Sequence, residues 1–455
     1  LRTGLTSHTQ TMESLPEKDP TTSKGGSGVE VPEWVTLEHQ VAEILTKQQL
    51  HGWYFDERSA HELECELRSA LDSLQESLRQ RHPFVEGGEF TPRRPNSTRG
   101  YFTDGTFTRI KDLNPTSRDH IAWVLSTACD ENEVPIYGWK PNQFTDKGKA
   151  TIDEVVLNDI GTPIALDFLQ CLELSKQLGM LSDGNNAWLK LVRKGRIHHH
   201  CSVATNTHRC AHRNPNLAQV PSDERFRRLF TATPGLCMVG ADLSGIELRM
   251  FAHYLSRYDG GRYGEILLNG DIHQVNADKI GVSRRIIKTI SYAFLYGAGN
   301  EKLGLSYDPQ LPADKAKKKG AEIRQAYLDA IEGLSDLVEA VKKKVQSAKY
   351  VTSVDGRRIA VDGPHKALNY LLQSGAGVIA KRWMVIANDQ IKQLNIEADQ
   401  LAFVHDELQF ECNPAHADTL MFNLELAAAQ AGEYYGLRIP IAAEAGTGST
   451  WADTH

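Results

Sequence analysis

The sequence predicts an α+β fold, and three observations carry that reading. Apolar residues recur at three-to-four spacing within residues 34–81, and residues 150–192 again read as mainly helical. From Ile197 the texture turns strand-like, and two short apolar runs, 236–241 and 401–412, meet carboxylates: Asp242 in one case, Asp406 and Glu407 in the other. Between those runs a helical stretch, "SRRIIKTISYAFLYGAG" (283–299), carries cations and aromatic rings at four-residue intervals.

Composition bounds the answer before any motif does. With 455 residues, 40% hydrophobic and 24% charged, the chain has the length for two or three domains and an ordinary globular composition. No apolar run approaches the roughly 20 residues a membrane helix needs. No charged-then-apolar signal segment opens the chain, so a cytoplasmic protein with no membrane partner is expected. Seven scattered cysteines without a CxxC argue against a disulfide framework and fit a reducing compartment. A net charge of −7 argues by itself against a nucleic-acid partner. Local clusters qualify the sum: "VRKGRIHHH" (192–200), "RRIIK" (284–288), "ADKAKKKG" (313–320) and "VKKKVQSAK" (341–349) are either solvated helix faces or footprints for phosphate.

Taken in order, residues 1–32 are rich in Thr, Ser, Gly, Pro and charge, and read as a linker or disordered arm. The chain opens on Leu1 and not Met, which suggests a clipped or fragmentary N-terminus. Ser59 and Glu62 form a capping-box pattern ahead of Leu63, Leu67, Leu71, Leu74 and Leu78, predicting a long amphipathic helix. Residues 84–110 mix Gly, Pro, Thr and Arg with no steady period, marking a long loop or small insertion, and "NPTSRDHIAWVL" (114–125) restarts a helix. Two helices bracketing a basic loop have the shape to grip a duplex. No internal repeat is present.

The two strand-end acids are the first functional signal. In "GLCMVGADLSGIELRMFAHYL" (235–255), a buried strand ends at Asp242, Ser244-Gly245 turn, and Ile246, Leu248, Phe251 and Leu255 begin an amphipathic helix. In "LAFVHDELQFEC" (401–412), Leu401 and Phe403, then Leu408 and Phe410, flank a tight turn at His405-Asp406-Glu407. Unpaired carboxylates are costly to bury, so acids at such a turn imply a cation or an exposed loop. Two aspartates facing each other across a sheet can hold a pair of Mg²⁺ ions roughly 3.5–4 Å apart, as phosphoryl transfer requires. By spacing alone, Asp242 is equally an N-cap of the following helix.

The helical stretch adds the complement. Arg284, Lys288, Tyr292 and Tyr296 are each offset by about 40°, forming a stripe roughly 120° wide along roughly 18 Å of helix. Ile286, Ile287, Ile290 and Phe294 occupy other faces and supply packing. Cations bind phosphates and rings stack on a base, so a nucleoside triphosphate lying along the helix would use every member.

These segments together carry a resemblance. "DLSGIELR", "RRIIKTISYAFLYG" and "VHDE" resemble motifs A, B and C of the family A (polymerase I-like) DNA polymerases, in that order. "NGDIHQVNADKI", "FLYGAGNEKLG", "NPTSRDH", "PNLAQVP" and "ALNYLLQSGAG" bring the similarity closest to the phage replicative branch, over roughly residues 36–455. The resemblance implies a right-hand polymerase fold with an antiparallel palm sheet, helical fingers and a helical thumb. The thumb would be 33–195 with a short basic insertion at 84–110, the palm 196–250 and 363–455, and the fingers 251–362.

It also implies template-directed DNA synthesis on a primed DNA template from dNTPs, with pyrophosphate released, in phage DNA replication. Asp242 and Asp406 would coordinate two Mg²⁺ ions, with Mn²⁺ able to substitute; the Leu243 carbonyl would complete the set and Glu407 would support it. Arg284, Lys288 and His273 would hold the triphosphate, with Lys288 also protonating the leaving pyrophosphate. Tyr292 and Tyr296 would frame base and sugar, and Glu247 would stand where a ribose 2′-hydroxyl projects. Arg209, Asn369, Gln373 and His405 resemble residues that sense the minor-groove edge and the primer end, where acceptors are common to all correct pairs. Tyr292, where some relatives carry Phe, is expected to allow ready use of dideoxynucleotides.

Three departures limit the resemblance. The region before the thumb is too short for the 3′–5′ exonuclease domain of many relatives, so proofreading is expected to be absent from this chain and a separate exonuclease is a candidate partner. The 84–110 insertion is much shorter than the thioredoxin-binding loop of a phage relative, which argues against thioredoxin as a processivity partner. His208 in "TNTHRCAH" stands where the family usually has Gly, so the backbone there is expected to differ. The ending "WADTH" (451–455) loosely resembles a tail that meets a replicative helicase. Other classes fit the residues less well: a zinc site among His198, His199, His200, Cys201, His208, Cys210 and His212 matches no common module. A two-metal nuclease leaves the helical stripe unused, a non-catalytic DNA-binding protein needs neither acids nor triphosphate cations, and against a single-subunit RNA polymerase stand Glu247 and "GIELR".

Overall fold

A computed structural model describes residues 31–203 and 205–454, so the expected arm at 1–32 lies almost wholly outside the described residues. The described chain opens with α1 (Glu33–His51), which buries Leu37, Val41, Ile44 and Leu45, and continues through β1 (Trp53–Phe55) into α2 (Glu57–Arg81). The leucine stripe of α2 is buried at Leu63, Leu67, Leu71 and Leu78 as its spacing predicts. Its cap differs from the expected Ser59–Glu62 box. Asp56 caps the helix, accepting the Ser59 N–H at 3.0 Å and the Ser59 hydroxyl at 2.6 Å, while Glu62 pairs with Arg58. A carboxylate three residues upstream satisfies the free N–H first, leaving Ser59 as a donor.

The stretch expected to be a loop or insertion is an antiparallel hairpin, β2 (Phe84–Phe90) with β3 (Phe107–Asp112), in register from Phe84↔Asp112 to Phe90↔Phe107. Its register shifts between Glu86 and Glu89, at Gly87-Gly88, which is why no strand period shows in the sequence. Then come α3 (Arg118–Thr127), α4 (Glu154–Ile160), α5 (Pro163–Leu178), which packs on α2, and the short α6 (Trp188–Leu191). The strand-like texture after Ile197 becomes β4 (Arg196–Ile197), β5 (His200–Ser202) and β6 (Ala211–Arg213), followed by α7 (Glu224–Arg227) and β7 (Phe230–Thr231). β4, β1 and β7 form one small sheet, and β5 pairs with β6.

The central sheet begins at β8 (Cys237–Leu243), which turns directly into α8 (Ile246–Asp259). A run of helices follows: α9 (Arg262–Asn269), α10 (Ile272–Ile280), α11 (Arg284–Leu295), α12 (Asn300–Tyr307), α13 (Ala313–Ala330) and α14 (Leu334–Ala348). α12 and α13 touch backbone to backbone: a Cβ on Gly320 would lie 1.7 Å from the Asn300 carbonyl oxygen, so glycine is required there. The hairpin β9 (Tyr350–Thr352) and β10 (Arg358–Ala360) leads to α15 (Ala367–Gln393), then β11 (Ala398–Val404), β12 (Glu407–Cys412), α16 (Ala417–Tyr434) and β13 (Ala443–Gly448). The four-stranded sheet runs β11-β12-β8-β13, antiparallel throughout.

Two cores lie against this sheet. One joins Val239, Ala241, Phe403 and Leu408 to α8, α15, α16 and the helices α9–α14; the other joins Met238, Leu401 and Val404 to β1, α2 and α5. α1 packs on α15 and β11. There its Glu38 meets two buried cations, Lys381 at 2.7 and 2.8 Å and Arg357, each no more than 2% exposed. Removing one partner from such a cluster would strand a buried charge. No described helix is long and apolar enough to cross a membrane.

Candidate active site

The antiparallel register of β8 and β12 sets the site. Glu407 lies directly opposite Asp242, and the Leu243 N–H donates to the Asp406 carbonyl at 3.0 Å, which pins the two-residue turn beside the end of β8. A strand residue's N–H and C=O face the same neighbour, so the Leu243 carbonyl also faces the Asp406 side. The turn itself is tight: His405 sits at φ 57°, left-handed backbone rarely adopted by residues with a side chain. The expected strand–turn–helix at Asp242 and hairpin at Asp406 are therefore both present.

The acids differ in environment. Burial first, then the charges of Asp406, Glu407, Glu247 and Glu444, push the Asp242 carboxyl up to about 7. Burial, then Glu247, against the opposing Arg209 cation, pushes Asp406 up to about 6. Glu407 is buried, which raises its carboxyl, but it accepts hydrogen bonds from Gln409 Nε2 at 2.7 Å and from Trp451 Nε1. Trp451 is itself buried against Trp53 and Phe230, and Asp453 closes a capping box with Thr450. The two side chains that suggested a helicase-binding tail are thus engaged internally; His455 lies outside the described residues.

Glu247, on the first turn of α8, is the hub of a second cluster. Its Oε1 accepts from Arg209 Nη2 at 2.6 Å and from the Tyr296 hydroxyl at 3.1 Å. Burial and the Glu247 charge push the Tyr296 hydroxyl up to about 12, keeping it a donor. Arg209 leaves the β5–β6 connection, lies over Gly377 of α15, and is held by Thr205 Oγ1 donating to its carbonyl at 2.7 Å. Preceding it, His208 takes φ 59°, so the chain keeps the left-handed backbone glycine favours although a histidine occupies the position.

The stripe is built by α11. Arg284, Lys288 and Tyr292 lie on it, and Tyr296 stands just past its end; Ile287, Ile290 and Phe294 are buried. Arg284 Nε pairs with Asp271, the cap of α10, at 2.6 Å. Lys288 is exposed and has no carboxylate partner among the described residues. His273, also on α10, is buried 6.0 Å from the Tyr292 ring, and its Nδ1 has no hydrogen-bond partner among the described residues. Asn369 Nδ2 donates to the Leu295 carbonyl at 3.1 Å, tying α15 to the end of α11, and Gly297 at φ 74° lets Asn369 approach. Gln373 lies one turn further along α15.

Two residues of this region are not among the site residues named from the sequence. Glu444 on β13 lies opposite Asp242 on the side away from Glu407 and accepts from Ser244 Oγ at 3.2 Å. Asp271 orients Arg284. Glu444 is brought in by the β8–β13 register, and Asp271 by the packing of α10 beside α11.

The donor set suits a hard divalent cation: two crowded carboxylates whose oxygens repel one another, with a backbone carbonyl alongside. Among the described residues no three His, Cys, Asp or Glu side chains form a ready-made metal cage. Mg²⁺ sites commonly take one or two carboxylates and fill the rest with water and substrate phosphate, so the two findings agree. Within 198–212 the structure places the histidines in packing and hydrogen-bonding contacts. His199 is buried against Gln48 at 3.1 Å and stacked on His212 at 6.0 Å.

Comparison with known proteins follows the geometry. The family model described as DNA polymerase family A matches residues 104–453. The DNA-directed DNA polymerase of Enterobacteria phage T3 is 30% identical, covering 93% of this chain and 70% of the phage protein. The corresponding polymerase of Escherichia phage T7 is 29% identical with the same coverage. Among solved structures, the POL domain of Pol1 from M. smegmatis, in complex with DNA primer-template and dNTP, superimposes with a TM-score of 0.72 at 23% identity, covering 92% of this chain and 70% of that one. That last likeness establishes the fold.

Proposed function

Because the chain belongs to DNA polymerase family A and is a DNA-directed DNA polymerase, we propose that it adds deoxyribonucleotides to a primer 3′ end by two-metal-ion nucleotidyl transfer, at a centre made by Asp242 and Asp406. The observation that carries this reading is the pinning of the Asp406 turn beside Asp242 through the Leu243 N–H. In this reading 33–195 is the thumb, 196–250 and 363–455 the palm, and 251–362 the fingers. The phage relatives support a place in phage DNA replication.

Asp242, Asp406 and the Leu243 carbonyl would hold the cations. Two divalent ions, when bound, supply Lewis-acid chemistry that acidifies the primer 3′-hydroxyl and neutralises charge on the α-phosphate and pyrophosphate. Everything else falls to side chains. Glu407, fixed by hydrogen bonds from Gln409 and Trp451, is held opposite Asp242 and would support the site from there. Arg284 and Lys288 bind the triphosphate oxygens, with Asp271 holding the guanidinium in place, and His273 adds a donor; Lys288 is placed to give a proton to the leaving pyrophosphate.

Tyr292 and Tyr296 frame the base and sugar. Glu247, held from two sides by Arg209 and Tyr296, cannot swing away from an added 2′-hydroxyl, which favours deoxyribose. Arg209, Asn369, Gln373 and His405 face the primer terminus and the minor-groove edge. The test is extension of a primed DNA template with Mg²⁺, supplying dNTPs or rNTPs in parallel, for the chain and its Asp406→Asn variant. Extension with dNTPs only, lost in the variant, is expected; degradation without extension would replace this mechanism with a nuclease.

A further inference from the structure

Seven cysteines lie scattered along the chain, but the central sheet brings two of them face to face. Cys237 opens β8 and Cys412 ends β12, and the antiparallel register sets them directly opposite one another. Their sulfurs are 3.7 Å apart, and the Cys237 thiol lies 3.6 Å from the Cys412 carbonyl oxygen. Opposed residues of an antiparallel ladder have Cα atoms roughly 4.5–5.5 Å apart, within the roughly 4.4–6.8 Å that disulfides span. This is the last pair of the β8–β12 ladder, and β13 reaches only as far as Met238, so both side chains can turn toward one another without shifting the register.

The two thiols differ in access. Cys237 is half-buried and meets solvent, whereas Cys412 is 1% exposed. Burial, then the neighbouring Cys237 thiol and the Glu411 charge, pushes the Cys412 thiol up to about 12, so it stays protonated while its partner is the one an oxidant reaches. We propose that Cys237 and Cys412 are an oxidation site, which a peroxide converts into a reversible disulfide that staples β8 to β12.

The chemistry runs in two steps. The Cys237 thiolate attacks one peroxide oxygen, the O–O bond breaks, and the departing hydroxide takes up the proton lost by the thiol, leaving a sulfenic acid and water. The Cys412 sulfur then attacks Cys237 Sγ; the S–S bond forms, the S–O bond breaks, and the leaving hydroxide takes the Cys412 proton as a second water. Two thiols are oxidised and one peroxide is reduced. Because the cysteines are 175 residues apart, the bond closes a loop that holds α8–α15 and both aspartates. A cross-link over so long a loop removes freedom from the unfolded chain and so stabilises the folded one. Asp242 and Glu407 face each other at the opposite end of the same ladder, so the staple leaves that end as it stands.

The experiment treats the full chain with hydrogen peroxide, blocks the remaining thiols with an alkylating agent, and maps the digest by mass spectrometry. Unfolding temperature is measured on the same samples with and without dithiothreitol. A peptide pair joined through Cys237 and Cys412 is expected, with a rise in Tm on the order of 5 °C that dithiothreitol reverses. Cys65 and Cys129 are exposed, and their oxidation shows that the peroxide has acted. Cys237→Ser and Cys412→Ala are each expected to lose both the joined peptide and the rise. Since Cys237 is only half-buried, its variant keeps the comparison sound if the loss of buried Cys412 weakens the fold. Oxidised Cys65 and Cys129 beside separately alkylated Cys237 and Cys412 would overturn the proposal, as would a joined pair that leaves Tm unchanged.

Discussion

Glu411 offers a quantitative test of how the sheet is joined to the α2–α5 unit. Its side chain, on β12, is 1% exposed and accepts from His51 Nε2 at 2.6 Å, from the Thr233 N–H at 2.8 Å and from Arg196 Nη2 at 3.3 Å. Burial opposes its ionisation, but these partners together outweigh burial and hold the carboxyl at about 2 against an ordinary 4.5. At about 1.36 kcal/mol per unit, the difference is on the order of 3 kcal/mol in favour of the folded state at neutral pH. Because the folded value is depressed, that contribution is complete above pH 4.5 and is lost as pH falls toward 2; the same relation leaves on the order of 1 kcal/mol at pH 3. Glu411→Gln is thus expected to lower stability by about 3 kcal/mol at pH 7 and by about 1 kcal/mol at pH 3. Urea unfolding followed by tryptophan fluorescence is the assay, since Trp53, Trp188 and Trp451 report on the adjoining core. A variant-to-parent difference that is the same at both pH values, or under 1 kcal/mol at pH 7, would refute the reasoning.

Two further outcomes concern selectivity. Glu247→Ala removes the shared acceptor of Arg209 and Tyr296; the preference for dNTPs over rNTPs in competitive primer extension should fall by on the order of 10- to 100-fold, and an unchanged ratio would remove Glu247 from sugar selection. Tyr292→Phe deletes the hydroxyl that, by filling the place of a missing 3′-OH, would allow dideoxynucleotides, so their use relative to dNTPs should drop by roughly tenfold or more. Equal use by both chains would show that the hydroxyl plays no such part.

The sequence was informative wherever a structural signal fits within a short window. A buried strand that meets Asp242, a Ser-Gly turn and an amphipathic helix lie consecutively, and the structure has them as β8 and α8. The hairpin at 401–412 and the helix from Arg284 were equally legible, because alternation and four-residue spacing are properties of neighbouring residues. Where the period broke, the reading failed: paired glycines hid the β2–β3 hairpin, and Asp56 took the cap assigned to Ser59.

By itself, then, the sequence determined the family, the α+β class and the side chains on offer: the aspartates, the stripe of Arg284, Lys288 and Tyr292, and Glu247. The tertiary structure alone decided how those groups are held. It set Glu444 beside Asp242, buried Trp451 on Glu407, aimed Asp271 at Arg284, and brought residues 137–162 and 309–310 to one cavity. Each of those is a contact between groups far apart in the chain. Strand register and core packing select such contacts, and no local period encodes them.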